Sequence, residues 1–283
     1  MHSNGQITLS TPGDAYTQGL NSLSSTTSSI TIPAYWEADA PTPLPYDTSS
    51  GFNSGIGFYS FGNYSNSDRA LGAVVNGSNS PAKWGALFVN NTGAPIVSLA
   101  IQYVGEQWRN GGVSGADNLV FEIGINATDI ANASSWNPYT SLDFIAPVTG
   151  GSASELDGNN AANRRIITAN IAIYIPKDSS FFIRWSYSNT NKGNALSIDD
   201  VSITPYNSLG AGTYPDLYID RTMQAEGDIT ITGAAYFEPG TKIDIGAHTV
   251  TFSGDISGTP TIKGGTNSNI VIDGTGILDT INF

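Results

Sequence analysis

Cysteine is absent from all 283 residues, which excludes a disulfide framework and any thiolate metal site. Histidine occurs only as His2 and His248. A histidine-based triad or imidazole metal site in the large region between them therefore has no base or ligand to use. Basic residues are scarce: 11 Lys and Arg face 24 Asp and Glu, a formal charge of -13. That balance repels a phosphate backbone and an anionic membrane surface, so nucleic acid is not an expected partner. No apolar run approaches the roughly 20 residues of a membrane-spanning helix, so no membrane insertion is expected. The opening "MHSNGQ" has neither the basic n-region nor the apolar h-region of a signal peptide.

What the chain has instead is strand and turn chemistry. Only 12% of residues are charged, while 32 glycines and 14 prolines accompany abundant Ser, Thr and Asn, a composition poor in helix formers. Gln6-Ile7-Thr8-Leu9-Ser10 reads as a first strand, followed by a Ser/Thr tract and the proline-rich "PTPLPYD", an extended segment crossing a larger sheet. From Gly57 to Thr204, "GFYSFG", "KWGALFVNN", "SLAIQYVGEQW", "NLVFEIGIN", "IITANIAIYIP", "SFFIRWSYS" and "ALSIDDVSITP" recur between turn clusters. Seven such strands predict a two-sheet sandwich or jelly roll over residues 1–205. Alternation places Leu99, Ile101 and Tyr103 on one face.

Beyond Pro205 the pattern changes. Residues 206–216, "YNSLGAGTYPD", read as a linker. In residues 217–283 the runs beginning at Ile229, Val250 and Ile270 each end in glycine, with starts 21 and 20 positions apart. A second run follows in each period: "KIDIG", "PTIKG" and "LDTINF". Two short strands per period of about 20 predict β-solenoid coils, with a β-hairpin array as the competitor. The last run meets Phe283 without a polar cap, which predicts a longer natural chain.

Between Gly57 and Ile203, "GFYSFGNYSNSDRALGAVVNGS", "ALFVNNTGAPIVSLAIQYVGEQWRNGG", "LDGNNAANR" and "ALSIDDVSI" together resemble a jelly-roll module of secreted Bacteroidetes proteins. There it precedes nuclease, phosphatase, lamin-tail or repeat regions. "AYFEPGTKIDIGAHTVTFSGDISGTPTIKGG" is similar to the repeats of large flavobacterial surface adhesins exported by the type IX system. The resemblance implies an extracellular or surface-anchored, non-catalytic module and supplies no catalytic residues.

Several constellations carry candidate chemistry. A glycosidase-like carboxylate pair could draw on Glu106, Glu122, Asp199 and Asp200, although nothing in the sequence pairs them. Asp199 and Asp200 are adjacent on a strand, so one should face inward and need a partner. Arg184 or Arg109 could supply it as a bidentate ion pair. Calcium is the other reading, with Asp199, Asp200 and Asp157 as hard oxygen ligands. "LDGNN" lacks the alternating ligands of an EF-hand and reads as an Asn/Gly turn. Trp36 and Trp136, in loop-like contexts, are the candidate sugar platforms, whereas Trp84 and Trp185 belong to the core. Trp108 and Arg109 of "VGEQWRNGG" are further ligand candidates, set against a structural reading in which Trp108 plugs the core.

The expected function is structural or adhesive: a sandwich displayed on a β-repeat stalk, contacting a glycan or surface ligand. The alternatives are a carbohydrate-binding accessory module of a secreted hydrolase and a self-assembling filament subunit.

Overall fold

The computed structural model describes all residues except 1–4, 27–30, 41–45, 65, 78–79, 128, 132–135, 189–192, 277–279 and 283. His2, part of the Ser/Thr tract and prolines 41, 43 and 45 fall outside the described residues. The regular structure of the described residues is β-strand apart from one short 3-10 turn at Thr140–Leu142.

Two sheets form the sandwich. In the first, Ile7–Leu9, Ala82–Asn90, Ser180–Tyr187, Asn118–Ile125 and Trp136–Pro138 lie in that order, and Trp36–Asp39 and Phe144–Ile145 pair at the flanks. The second runs Ser154–Glu155, Ile96–Asn110, Ala195–Tyr206, Ala70–Val74, Gly57–Phe61 and Tyr46–Ser49, with Arg164–Ile175 and Tyr16–Gln18 also paired into it. All seven expected runs are strands. Their inward residues alternate as period-2 burial requires: Leu99, Ile101 and Tyr103 meet Phe121, Ile183 and Trp185 in one core.

The solenoid is parallel throughout, which rules out a hairpin array. It has three faces per coil where the sequence pattern predicts two. Gly212–Tyr214, Ile229–Ile231, Thr249–Phe252 and Asn269–Ile272 stack on the first face, and Thr222–Gln224, Lys242–Gly246, Thr261–Gly264 and Thr280–Asn282 on another. The unanticipated face is Leu217–Ile219, Ala235–Phe237 and Ile256–Gly258. These strands are only three residues long, too short for a visible alternation, yet Leu217, Ile219, Ala235 and Phe237 all point into the coil core.

The glycine ending each first-face run has a packing cause. A Cβ on Gly254 would lie 1.9 Å from the carbonyl oxygen of Gly233, and one on Gly274 would lie 2.0 Å from that of Gly254. The corner therefore stacks backbone on backbone with no room for a side chain.

Residues 206–216, read as a linker, belong to structured elements. Tyr206 ends a sandwich strand, Leu209 bridges Ala225, and Gly212–Tyr214 is the first solenoid strand. Val97 and Ala172 of the sandwich pack on the solenoid core, and Ser98 Oγ donates to the carbonyl of Ser208 at 2.7 Å. The two units thus share a packed junction. Ile243 is fully buried in the second coil, so Ile243→Ala should cost about 2–5 kcal/mol. Urea denaturation monitored on the solenoid would read this as a lower midpoint; an unchanged midpoint would contradict the stacked-coil core.

Candidate functional site

The "VGEQWRNGG" stretch continues the strand Ile96–Asn110, and its candidates are built into the fold. Glu106 and Trp108 share the outer face of the second sheet, and the indole Nε1 donates to Glu106 Oε2 at 2.8 Å. Trp108 is fully buried and stacks on Phe61 at 6.1 Å. The loop after Leu156 lies over it so closely that a Cβ on Gly158 would fall 2.3 Å from the indole. Arg109 Nη1 donates to the carbonyls of Gly51 and Phe52. Trp108 offers no free face to a ligand, whereas Arg109 is partly exposed and its Nε has no hydrogen-bond partner.

Asp199 also lies on that outer face, against the expectation that one member of the pair faces the core. Leu196 and Ile198 hold the core positions, and the register slips between Asp199 and Ser202. Asp200 takes φ 49° there, a bulge residue that lets Val201 and Ile203 return to the core. Asp199 is 3% exposed, and its Oδ1 has no hydrogen-bond partner. Burial, with the charges of Glu106, Asp200 and Asp68 adding to it, pushes its pKa up to about 9. Burial likewise pushes Glu106 to about 7, against the indole hydrogen bond.

The arginines proposed to pair with Asp199 are elsewhere. Arg184 sits on the first sheet, where Nε contacts Glu122 Oε2 at 2.7 Å, and Nη1 donates to the Ile130 carbonyl at 2.6 Å. Arg109 is held by the carbonyls named above. Asp157 is exposed in its turn, where Oδ1 accepts from Asn159 N and Asn63 Nδ2. Asp199, Asp200 and Asp157 are thus a buried, a bulge and a loop carboxylate. No grouping of three or more acids or histidines suited to a metal occurs among the described residues.

The tryptophan candidates divide differently. Trp36, expected in a loop, lies in the strand Trp36–Asp39, stacks on Trp185 at 6.0 Å and donates Nε1 to Tyr16 Oη at 3.0 Å. At 4% exposure it is core, because pairing with Ala82–Asn90 turns it inward. Trp136 is half-buried, with the Arg184 guanidinium 3.6 Å over its ring. One indole face is therefore occupied.

An open site lies where the sandwich meets the solenoid. A cleft of about 420 Å³ has Tyr139, Thr140, Ser141 and Tyr174 on its sandwich side, and Asp216, Tyr218, Asp220 and Arg221 on its solenoid side. Arg221 ties the walls together. Its Nε donates to Asp220 Oδ1 at 2.6 Å, its Nη2 donates to Oδ2, and its guanidinium lies 3.9 Å over the Tyr174 ring. This bidentate contact holds the Asp220 carboxyl below its usual range, so the polar wall stays ionised through neutral pH. Tyr174 and Tyr218 are 41% and 52% exposed. Aromatic faces beside fixed carboxylate, guanidinium and hydroxyl groups form a surface that can stack one side of a ligand and hydrogen-bond its edges.

Sequence reading missed this cleft because its walls come from distant segments. The available signal was "LYI" and "AYF", two apolar-Tyr-apolar triplets 18 residues apart, each turning a tyrosine outward.

No protein-family model matches the chain, and no curated protein matches it in sequence. Among solved structures, it is similar to the K3 cleaved adhesin domain of Lys-gingipain from Porphyromonas gingivalis. Identity is 12% over 61% of this chain and 93% of that one, with a TM-score of 0.38. The CBM22-1 xylan-binding domain of Paenibacillus barcinonensis Xyn10C is 10% identical over 71% and 99%, TM-score 0.34. The family 11 carbohydrate-binding module of Clostridium thermocellum is 13% identical over 61% and 89%, TM-score 0.30. No function passes to this chain from likenesses at this level.

Proposed function

We propose that the chain is a non-catalytic, extracellular adhesive module, in which a β-sandwich is carried on a β-solenoid stalk and contacts a glycan at their junction. The observation that carries this reading is the solvent-open cleft with tyrosines on both walls and a prearranged Asp220–Arg221 pair. Glycans present one apolar ring face and a rim of hydroxyls, and this cleft offers the complement of both. The remaining candidate residues fit a structural role: Trp36 and Trp108 are enclosed, and Arg184 and Glu122 neutralise each other. No helix among the described residues is long and apolar enough to cross a membrane.

The test is a glycan array probed with the whole chain, followed by an assay for reducing-sugar release from each hit. The expected result is retention of at least one glycan class with no hydrolysis. Hydrolysis of a bound glycan would refute the non-catalytic reading, and an array without hits would refute the glycan reading.

A further inference from the structure

The face that holds Tyr218 begins with it. Leu217–Ile219 is the edge strand of its sheet, and the next coil covers only one of its sides. Leu217 N donates to the Ala234 carbonyl and Glu238 N donates to the Ile219 carbonyl. In a parallel ladder, residues alternate in the direction of their polar backbone groups. The N–H and C=O of Tyr218 therefore turn away from the next coil, toward the sandwich. The side chain repeats this asymmetry. Tyr236, one coil further on, stacks on one face of the Tyr218 ring at 5.2 Å and 9°, while Tyr218, 52% exposed, lines the cleft and Tyr236 does not. Tyr218 Oη donates to Glu238, which fixes the ring in its plane.

We infer that the cleft takes a neutral pyranose chain, one ring of which stacks on the face of Tyr218 away from Tyr236 as the next rung of the Tyr236–Tyr218 ladder. The inference rests on the glycan reading above and names the class of sugar and the residue that seats it. A flat aromatic face selects a ring with equatorial hydroxyls, whose axial C–H groups project onto the aromatic face. The edge-strand amide and carbonyl of Tyr218, with Asp216, Asp220 and Arg221, lie where ring hydroxyls would extend. Charge selects against acidic sugars. Asp216, Asp220 and Glu238 stand around the ring, and Asp220 already satisfies Arg221, the cleft's cation. A uronate or sulfate would meet net negative charge.

The experiment is calorimetric titration of the whole chain with β-1,4-linked glucose, xylose and mannose hexasaccharides and with an oligogalacturonate. It is repeated with Tyr218→Ala, and with Phe52→Ala as control, since Phe52 is 70% exposed on a loop that does not line the cleft. The expected result is binding of a neutral hexasaccharide, about tenfold weaker in Tyr218→Ala, equivalent to about 1.4 kcal/mol, and unchanged in Phe52→Ala. A melting curve of each variant separates lost binding from lost fold. Neutral binding that ignores Tyr218→Ala overturns the stacking site and leaves the glycan function standing. Preferential binding of the oligogalacturonate overturns the neutral class alone. No binding by any sugar, or binding only of a proline-rich peptide included for comparison, overturns both this inference and the function it rests on.

Discussion

Asp199→Asn should raise the melting temperature at pH 8, by about 5 °C or more. The carboxyl is 3% exposed and one of its oxygens is unpartnered, so the native fold must either bury a charge or hold a proton there. Its pKa of about 9 and that of Glu106, about 7, lie above those of the same groups in an unfolded chain. The folded state therefore binds more protons than the unfolded state between about pH 4 and 9, and stability falls as pH rises through that window. Below pH 4 both states are protonated and the difference vanishes. At pH 8 the folded carboxyl holds its proton while the unfolded one is ionised, so folding must take up a proton at a cost of about 2 kcal/mol or more; the amide keeps the shape without that cost, which a chain of this size registers as several degrees. Scanning calorimetry of both proteins at pH 5 and pH 8 should show the wild type losing stability with pH and the variant much less. A calcium ion held by Asp199 would reverse these signs: the substitution would destabilise, and chelation with EDTA would lower the wild-type melting temperature.

Arg184→Met should destabilise by about 3–5 kcal/mol, because it leaves Glu122 buried without its partner. The pair is nearly enclosed, with side chains 6% and 15% exposed. Removing the guanidinium also strips a donor from the Ile130 carbonyl and the cation from the Trp136 ring. Lys83 replaces it only in part: its charge acts on Glu122, but its ammonium donates to the Ala131 carbonyl at 3.0 Å. The melting temperature should fall by about 10 °C, and Arg184→Met combined with Glu122→Leu should recover most of the loss, since an apolar pair carries no desolvation debt. Sugar affinity measured well below the melt should be unaffected in either variant. A fall under about 2 °C for the single variant would mean that Glu122 reaches water and that the pair is peripheral.

The contrast between these two carboxylates shows where sequence reasoning stopped. Both were candidates for a catalytic pair, and only Asp199 was expected to meet an arginine. Glu122 found Arg184 because the register of Asn118–Ile125 against Ser180–Tyr187 sets them directly opposite. Asp199 did not, because the bulge at Asp200 keeps Ile198 and Val201 in the core and leaves Asp199 on the far face beside Glu106. Nothing in "SIDDVSI" announces that bulge.

By itself the sequence determined the all-β class, the seven main sandwich strands and the coil repeat of about 20 residues. These follow from local rules, the two-residue alternation of a strand and the turn chemistry of Gly, Asn and Pro, which act within a few residues. It also placed Trp84 and Trp185 in the core and left Trp108 between a ligand candidate and a structural plug. Only the tertiary structure decided which faces were covered. It closed Trp36 against Trp185, occupied one face of Trp136 with Arg184, gave each coil a third side and left Tyr218 and Tyr174 partly exposed in one cleft. Exposure is set by what packs over a face, and the covering segments are tens of residues away in the chain. For that reason the residues that looked most like a site became part of the framework, and the open cleft arose between segments that no local pattern connects.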